Sequence, residues 1–369
     1  MFLRSLVRRF ATSATEPLRK TPLYDFHVEN GGKMVPFAGY SMPLSYGDVG
    51  AIASHNHVRT SVGLFDVSHM VQSNFRGPSA QAFLEWLTPS ALSALPPYAS
   101  TLSVLLNPHG GIIDDTIITK HAPDAFYVVT NAARRTRDLA WFTHKLAEWN
   151  AAPRHEGPVE HEVLDGWGLV ALQGPLAAPY LQSLTAFDLR TLTFGRAAWV
   201  PLDGGHTLHD IVRGLLARAP VRLTGLGARD SLRLEAGMCL YGQDLDEGTT
   251  PLEAGLGWVV GRERRVQGGF VGFEGALKVP GRRRVGLEVQ GAPARQGASI
   301  YAPGTDVRLG EVTSGIPSPT LGKNIAMGYV SVEGGRHKKG SEVEVEVRGK
   351  RRQARVVGMP FVPTRYWRG

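Results

Sequence analysis

Glu342-Val343-Glu344-Val345-Glu346-Val347 alternates strictly between acidic and apolar residues. A period of two sets the valines on one face of a strand, toward a core, and the glutamates on the other, toward water. Val285 to Val289 and Gln353 to Val357 are further short runs of strand character, set between Gly and Pro turns. Together they predict a small antiparallel barrel or jelly roll. Its boundary falls near Lys278 to Arg284, so 278–369 reads as an all-β domain.

Upstream the pattern is mixed. Ala82, Phe83, Trp86 and Leu87 share a helical face that Ser79 can cap and Thr88-Pro89 ends. Leu139, Phe142, Leu146 and Trp149 recur at helical spacing after Asn131, and Ile52 to Val58 reads as a third helix. Thr101 to Leu106 and Ile112 to Lys120 flank Asn107-Pro108-His109-Gly110-Gly111, whose turn residues predict a hairpin. Phe126 to Thr130 reads as a neighbouring strand. The whole is α+β followed by an all-β domain.

The 369 residues suit two or three domains with a substantial core. No apolar run is long enough to span a membrane. The one cysteine, Cys239, excludes an internal disulfide and a cysteine-rich metal site. Beside Leu234, Met238 and Leu240 it reads as a buried, inert thiol rather than a nucleophile. His55 and His57 do not share a helical face, so no metal is expected.

Net charge is +8, and half of that excess lies in Met1 to Lys20. This segment holds Arg4, Arg8, Arg9, Arg19 and Lys20 against Glu16, with Phe2, Leu3, Leu6, Val7 and Phe10 able to share a helical face. Arg-rich, acid-poor and amphipathic is the make-up of a mitochondrial presequence, with a disordered basic arm as the alternative. Basic clusters at Arg262 to Arg265, Arg282 to Arg284, His337 to Lys339 and Lys350 to Arg352 sit between strand-like segments. They read as solvated loops, or as a surface for an acidic partner or anionic ligand. They do not read as a nucleic-acid surface, which wants interleaved exposed aromatics.

Two stretches carry possible chemistry. Arg229-Asp230-Ser231-Leu232-Arg233-Leu234-Glu235-Ala236-Gly237-Met238-Cys239-Leu240-Tyr241-Gly242 reads as a helix that ends at Gly237. Arg229 lies early in it, where the dipole disfavours a cation, so it needs an anionic neighbour or ligand. Asp114-Asp115 follows the glycine turn. Adjacent carboxylates on a strand point to opposite faces, so one at most enters a given pocket. Both are turn residues, or one is buried and its pKa tuned. His69 reads as a packed or hydrogen-bonded histidine rather than a base.

These stretches resemble the aminomethyltransferase family, the T-protein of the glycine cleavage system. So do Thr21-Pro22-Leu23-Tyr24-Asp25-Phe26-His27, Gly32 to Gly39, Leu64-Phe65-Asp66-Val67-Ser68-His69-Met70, Gly110 to Asp115, Leu172-Gln173-Gly174-Pro175 and Met359-Pro360-Phe361-Val362-Pro363-Thr364. They run in family order from about the twentieth residue to the end. The resemblance implies a three-lobed arrangement: a presequence over 1–20, two interleaved folate-binding lobes over 21–277 and a C-terminal barrel or jelly roll over 278–369. It implies transfer of an aminomethyl carbon from the lipoyl arm of H-protein to tetrahydrofolate, in the mitochondrial matrix, without metal. Asp115 then matches the catalytic aspartate. Met70, Leu102, Tyr127 and Val129 match residues of the pterin pocket, and Arg229 the folate-site arginine. Trp258, Arg284 and Tyr366 match residues near the benzoyl-glutamate end.

The chain departs from the family in one place. A Gly-Tyr-Thr-Gly-Glu-Asp-Gly run and a pterin-binding glutamate are expected between Leu192-Thr193-Phe194 and Arg229. Here the chain runs Ala198-Trp199-Val200-Pro201-Leu202-Asp203-Gly204-Gly205-His206-Thr207-Leu208-His209-Asp210, with no glutamate from Ala186 to Asp230. Loss of a strand-turn-strand would expose a sheet edge and take away the partner of Arg229. Two alternatives therefore stand beside a working T-protein: a weakened or inactive variant, and another user of the fold, either folate-dependent or an iron–sulfur assembly factor.

Overall fold

The computed structural model describes residues 17–152, 156–204, 207–218 and 220–369. Most of the segment read as a presequence lies outside these residues. Arg19, near its end, belongs to the fold: it bridges to Tyr40, with its guanidinium 5.0 Å from the ring centre.

The chain forms two compact, interleaved units. Unit 1 holds residues up to Ser73, Val163–Asp230 and Tyr366–Gly369, and unit 2 holds Asn74–Glu162 and Ser231–Arg365. In unit 1 the chain first makes α1 (Tyr24–Glu29), the hairpin β1 (Gly32–Phe37) and β2 (Tyr40–Tyr46), α2 (Ala51–Thr60) and β3 (Val62–Asp66). β4 (Val71–Arg76) leads into unit 2, with α3 (Ala80–Leu87), β5 (Ala99–Leu106), β6 (Ile112–Ala122), β7 (Ala125–Thr130), α4 (Arg135–Asn150) and β8 (Glu160–Val163). Unit 1 resumes with β9 (Val170–Gln173), α5 (Ala177–Gln182), α6 (Leu208–Leu216) and β10 (Val221–Leu223). α7 (Leu226–Glu235) leads back to unit 2, where α8 (Arg264–Gln267) and α9 (Phe273–Ala276) precede six strands. These are β11 (Arg282–Val289), β12 (Ser299–Tyr301), β13 (Arg308–Pro317), β14 (Asn324–Ser331), β15 (Glu342–Val347) and β16 (Lys350–Val357).

The six strands close a barrel in the order β11-β14-β13-β12-β15-β16, which settles barrel against jelly roll. Val343, Val345 and Val347 are buried in it with Leu287, Ile300 and Val356, as the alternation requires. On the outer face Glu342 lies opposite Arg355 and Glu346 opposite Arg351 in the β15–β16 register. Arg351 of the basic cluster at Lys350 to Arg352, and Arg355 beyond it, are therefore balanced across the ladder.

A five-stranded sheet, β5-β6-β7-β4-β8, carries the second core. Phe75, Phe126 and Ile118 pack on Phe83, Leu84 and Leu87 of α3 and on Phe142 and Trp149 of α4. The two predicted helices thus cover one face of the predicted hairpin. Ser79 does not cap α3, contrary to expectation. Its hydroxyl instead accepts from Trp149 Nε1 at 3.1 Å and donates to the Gly157 carbonyl, so tertiary bonds outcompete the local one.

In unit 1 a three-stranded sheet runs β10-β3-β9, with β3 parallel to β10 and antiparallel to β9. Val62 and Leu64 of β3 pack with Leu23, Val212 and Leu215. Among the described residues the interval from Phe194 to Arg229, where the family run is expected, holds one strand, β10. β9 is at the edge of this sheet, with its side chains half-buried or exposed. Asp210 is a helix-capping residue: it and Thr207 form a reciprocal capping box at the start of α6.

Candidate functional site

Strand register decides which sequence candidates share a face in unit 2. Leu102 lies opposite Ile117, Val104 opposite Asp115, Val129 opposite Ile117, and Tyr127 opposite Thr119. Side chains directly opposite each other lie on one side of a sheet. Leu102, Asp115, Tyr127 and Val129 are thus neighbours on a single face. This face is half-covered. Val104 is buried in a cluster with Leu106, Tyr241, Leu245 and Leu256, and Leu102 packs against its edge. Ile117 is 41% exposed. Asp115 sits between the covered end and the open one, and is itself half-buried.

Asp114 takes the opposite face and is fully buried. It is the carboxyl whose pKa burial tunes. Burial outweighs the hydrogen bonds from Asn131 and pushes it up to about 6. Asp138 of α4, also fully buried, is pushed up to about 10 by burial first and by the charge of Asp114 second. Asn131 ties the strand pair together. Its backbone N–H donates to Asp114 Oδ2 at 2.7 Å, and its Nδ2 donates to Asp114 Oδ1 at 3.0 Å and to Asp115 Oδ1 at 2.9 Å. Arg134 Nε donates to the Ile113 carbonyl at 3.0 Å, and its guanidinium pairs with Glu247, which Arg137 Nε meets at 3.2 Å. Asn131 and Asp138 escaped the sequence reading. Asn131 looked like a helix start, and its separation from the aspartates in sequence gave no signal.

In unit 1, Arg229 on α7 meets His69 Nε2 through Nη1 at 3.3 Å. One neighbour of Arg229 is thus a histidine beside Met70, which is half-buried. His69 is buried, with Phe37 and Tyr40 edge-on to its ring. Burial first and Arg229 second depress its pKa to about 3, so the ring is neutral and can accept from the guanidinium. His69 is thus a packed, hydrogen-bonded histidine. Nearby, Asp66 accepts from Thr21 Oγ1 at 2.7 Å, from the Ser68 N–H at 2.8 Å and pairs with His27 Nε2 at 2.8 Å. Burial alone would raise Asp66, but these bonds hold it below its ordinary range.

The remaining candidates are Trp258 and Arg284 in unit 2 and Tyr366 in unit 1; Leu256 and Val259, on either side of Trp258, pack with Val104, and the charges of Arg284 and Asp115 both act on Cys239. Trp258 is 60% exposed on a short 3₁₀ turn of unit 2. Arg284 of β11 donates through Nε to the Ala254 carbonyl at 2.7 Å and through Nη1 to the Gly237 carbonyl at 3.0 Å. Much of its donor capacity therefore braces the end of α7. Tyr366 in unit 1 stacks on Phe194, ring centres 4.0 Å apart. Cys239 is pushed up to about 12, chiefly by burial, which leaves it a protonated thiol. A cavity of about 260 Å³ in unit 1, lined by Tyr46, His57 and Arg222 among others, touches none of the candidates. Among the described residues no group of three or more His, Cys, Asp or Glu could hold a metal ion, and no helix is long and apolar enough to cross a membrane.

The GCVT N-terminal domain matches residues 23–214 and 199–264, and the glycine cleavage T-protein C-terminal barrel domain matches residues 282–363. The probable mitochondrial aminomethyltransferase of Schizosaccharomyces pombe is 46% identical, over 99% of this chain and 98% of its own. The mitochondrial aminomethyltransferase of Pisum sativum is 44% identical, over 99% and 94%. The crystal structure of glycine cleavage system aminomethyltransferase T from Bartonella henselae superposes with a TM-score of 0.85 at 35% identity, covering 95% of this chain and 99% of that one. With both domains matched in order and relatives aligned over nearly their full length, the chain belongs to the glycine cleavage T-protein family.

Proposed function

We propose that this chain is the mitochondrial aminomethyltransferase of a glycine cleavage system, and that Asp115 is its catalytic residue. The reaction moves the one-carbon unit from the aminomethyl-dihydrolipoyl arm of H-protein to tetrahydrofolate. Ammonia leaves, and 5,10-methylenetetrahydrofolate and the reduced lipoyl arm are the products. One observation supports the site: a single carboxylate held on a half-open apolar face, among Leu102, Tyr127 and Val129. Such a face suits a flat pterin ring. A carboxylate beside it can accept from folate N–H groups and stabilise positive charge at the reacting carbon. The covered end of the face limits water there, which protects a reactive carbon from hydrolysis. No enzyme nucleophile is required, since the folate nitrogen supplies the attacking pair. The parts of Met70, Arg229, Trp258, Arg284 and Tyr366 rest on the family resemblance. Matrix location follows the mitochondrial relatives and the basic, amphipathic 1–20 segment.

The test uses protein beginning at Pro17. Calorimetry should show micromolar tetrahydrofolate binding, on the order of −8 kcal/mol. Asp115→Asn should cut transfer from lipoylated H-protein by about a thousandfold, to a slow but measurable rate, and leave the fold intact. Near-normal activity in that variant removes Asp115 from the mechanism. Folded wild-type protein that binds no tetrahydrofolate means that the departure upstream of Arg229 has cost the site.

A further inference from the structure

We propose that Asp114 is a positioning residue for this reaction, acting on Asp115 through Asn131. The inference rests on the role assigned to Asp115 above. Asp114 points into the core on the opposite face, so it cannot itself touch a substrate beside Asp115. One side chain nevertheless joins them. The Asn131 amide nitrogen carries two hydrogens. They serve Asp114 Oδ1 at 3.0 Å and Asp115 Oδ1 at 2.9 Å, while the Asn131 backbone N–H serves Asp114 Oδ2 at 2.7 Å. Both oxygens of Asp114 thus grip the backbone and the side chain of one residue, and that residue grips Asp115.

The grip is rigid because its base is buried. Asp114 has no exposed surface, and Asn131 follows β7 directly, ahead of the short 3₁₀ turn Ala132–Arg134 that leads into α4. Arg134, one turn further on, fixes the Ile113 carbonyl on the same strand as Asp114. Asp138 lies behind Asp114, and its side chain bears directly on that carboxyl. Held this way, the Asp115 rotamer is set before any ligand arrives, the condition for orientation to lower a barrier. An amide at 114 would offer one acceptor oxygen where Asn131 presents two donors. The other donor would face an NH₂ group, and the Asn131 side chain would turn.

The experiment compares Asp114→Asn, Asp115→Asn and the double variant in the full chain, by single-turnover transfer from lipoylated H-protein. We expect Asp114→Asn to fold, to lose about 10- to 100-fold in kcat, and to keep KM for tetrahydrofolate within about threefold. We expect no further loss when it is added to Asp115→Asn, because the two act as a unit. A merely structural Asp114 would cost the same factor in both backgrounds. Should Asp114→Asn fail to fold, Asn131→Ala cuts the link from the other end and is held to the same comparison. Wild-type kcat in either variant, or fully additive losses, overturns the proposal. Full activity in Asp115→Asn is a different result: it sinks the role of Asp115, and the positioning proposal with it.

Discussion

A carboxyl without water around it keeps its proton, and Asp138 is such a group. Its folded pKa of about 10 lies above the unfolded value, so the folded state holds a proton that the unfolded state releases. Stability therefore falls as pH rises from the unfolded pKa toward the folded one, by at most about 1.4 kcal/mol per pH unit for one proton. Asp138→Asn removes this slope, and denaturant titrations at pH 6 and 9 should show the variant gaining on wild type at the higher pH. His69 works in the opposite sense. Its depressed pKa contributes stability above the ordinary histidine value, and this is lost as pH falls toward about 3. The same neutral ring holds Arg229. His69→Leu should weaken tetrahydrofolate binding about fivefold, the worth of one hydrogen bond near 1 kcal/mol. His69→Gln, which keeps an acceptor, should bind normally in calorimetry. The sequence placed Asp114 and Asp115 on opposite faces but left open which was buried. That was decided by α3 and α4, which cover the Asp114 side.

At the scale of elements, periodicity was a good guide wherever a run was long. The four predicted helices became α2, α3, α4 and α7, and the hairpin became β5 and β6. Short elements were illegible: α1 has six residues and β10 three, too few to display a period. The turn between β5 and β6 shows what a local reading misses. Gly110 takes φ +81°, as a turn glycine can. Gly111 is a glycine for another reason: a Cβ there would lie 1.8 Å from the Glu247 carbonyl oxygen. Asn107 Nδ2 donates to that same oxygen at 2.9 Å. Gly111→Ala should therefore destabilise by about 1–3 kcal/mol through overpacking, measurable by chemical denaturation. It should also slow transfer, since the strand that follows carries Asp115.

The barrel could be read from a single alternating strand, because closure leaves every β15 valine on the inside. Interleaving came only from the family resemblance, since nothing local marks a chain that leaves a core and returns to it. The last four residues illustrate this. Tyr366 stacks on Phe194, Trp367 Nε1 donates to the Arg190 carbonyl at 2.9 Å, and the Phe194 N–H donates to the Trp367 carbonyl at 2.7 Å. Removing Tyr366–Gly369 should cost unit 1 about 1–3 kcal/mol, from the aromatic pair and its hydrogen bonds. Faster hydrogen exchange around 190–196, with the barrel unchanged, would confirm it.

The chain passes between its units four times. A ribosome or an import channel delivers it from one end, so β3 emerges long before β9 and β10, the strands on either side of it. Val62 and Leu64 have Leu23 and Phe26 beside them from the start, but lack Val212, Leu215 and Val221 while all of Asn74–Glu162 goes by. The part of this protein made first is the part that folds late, and during that interval it depends on whatever in the compartment shields bare apolar strands.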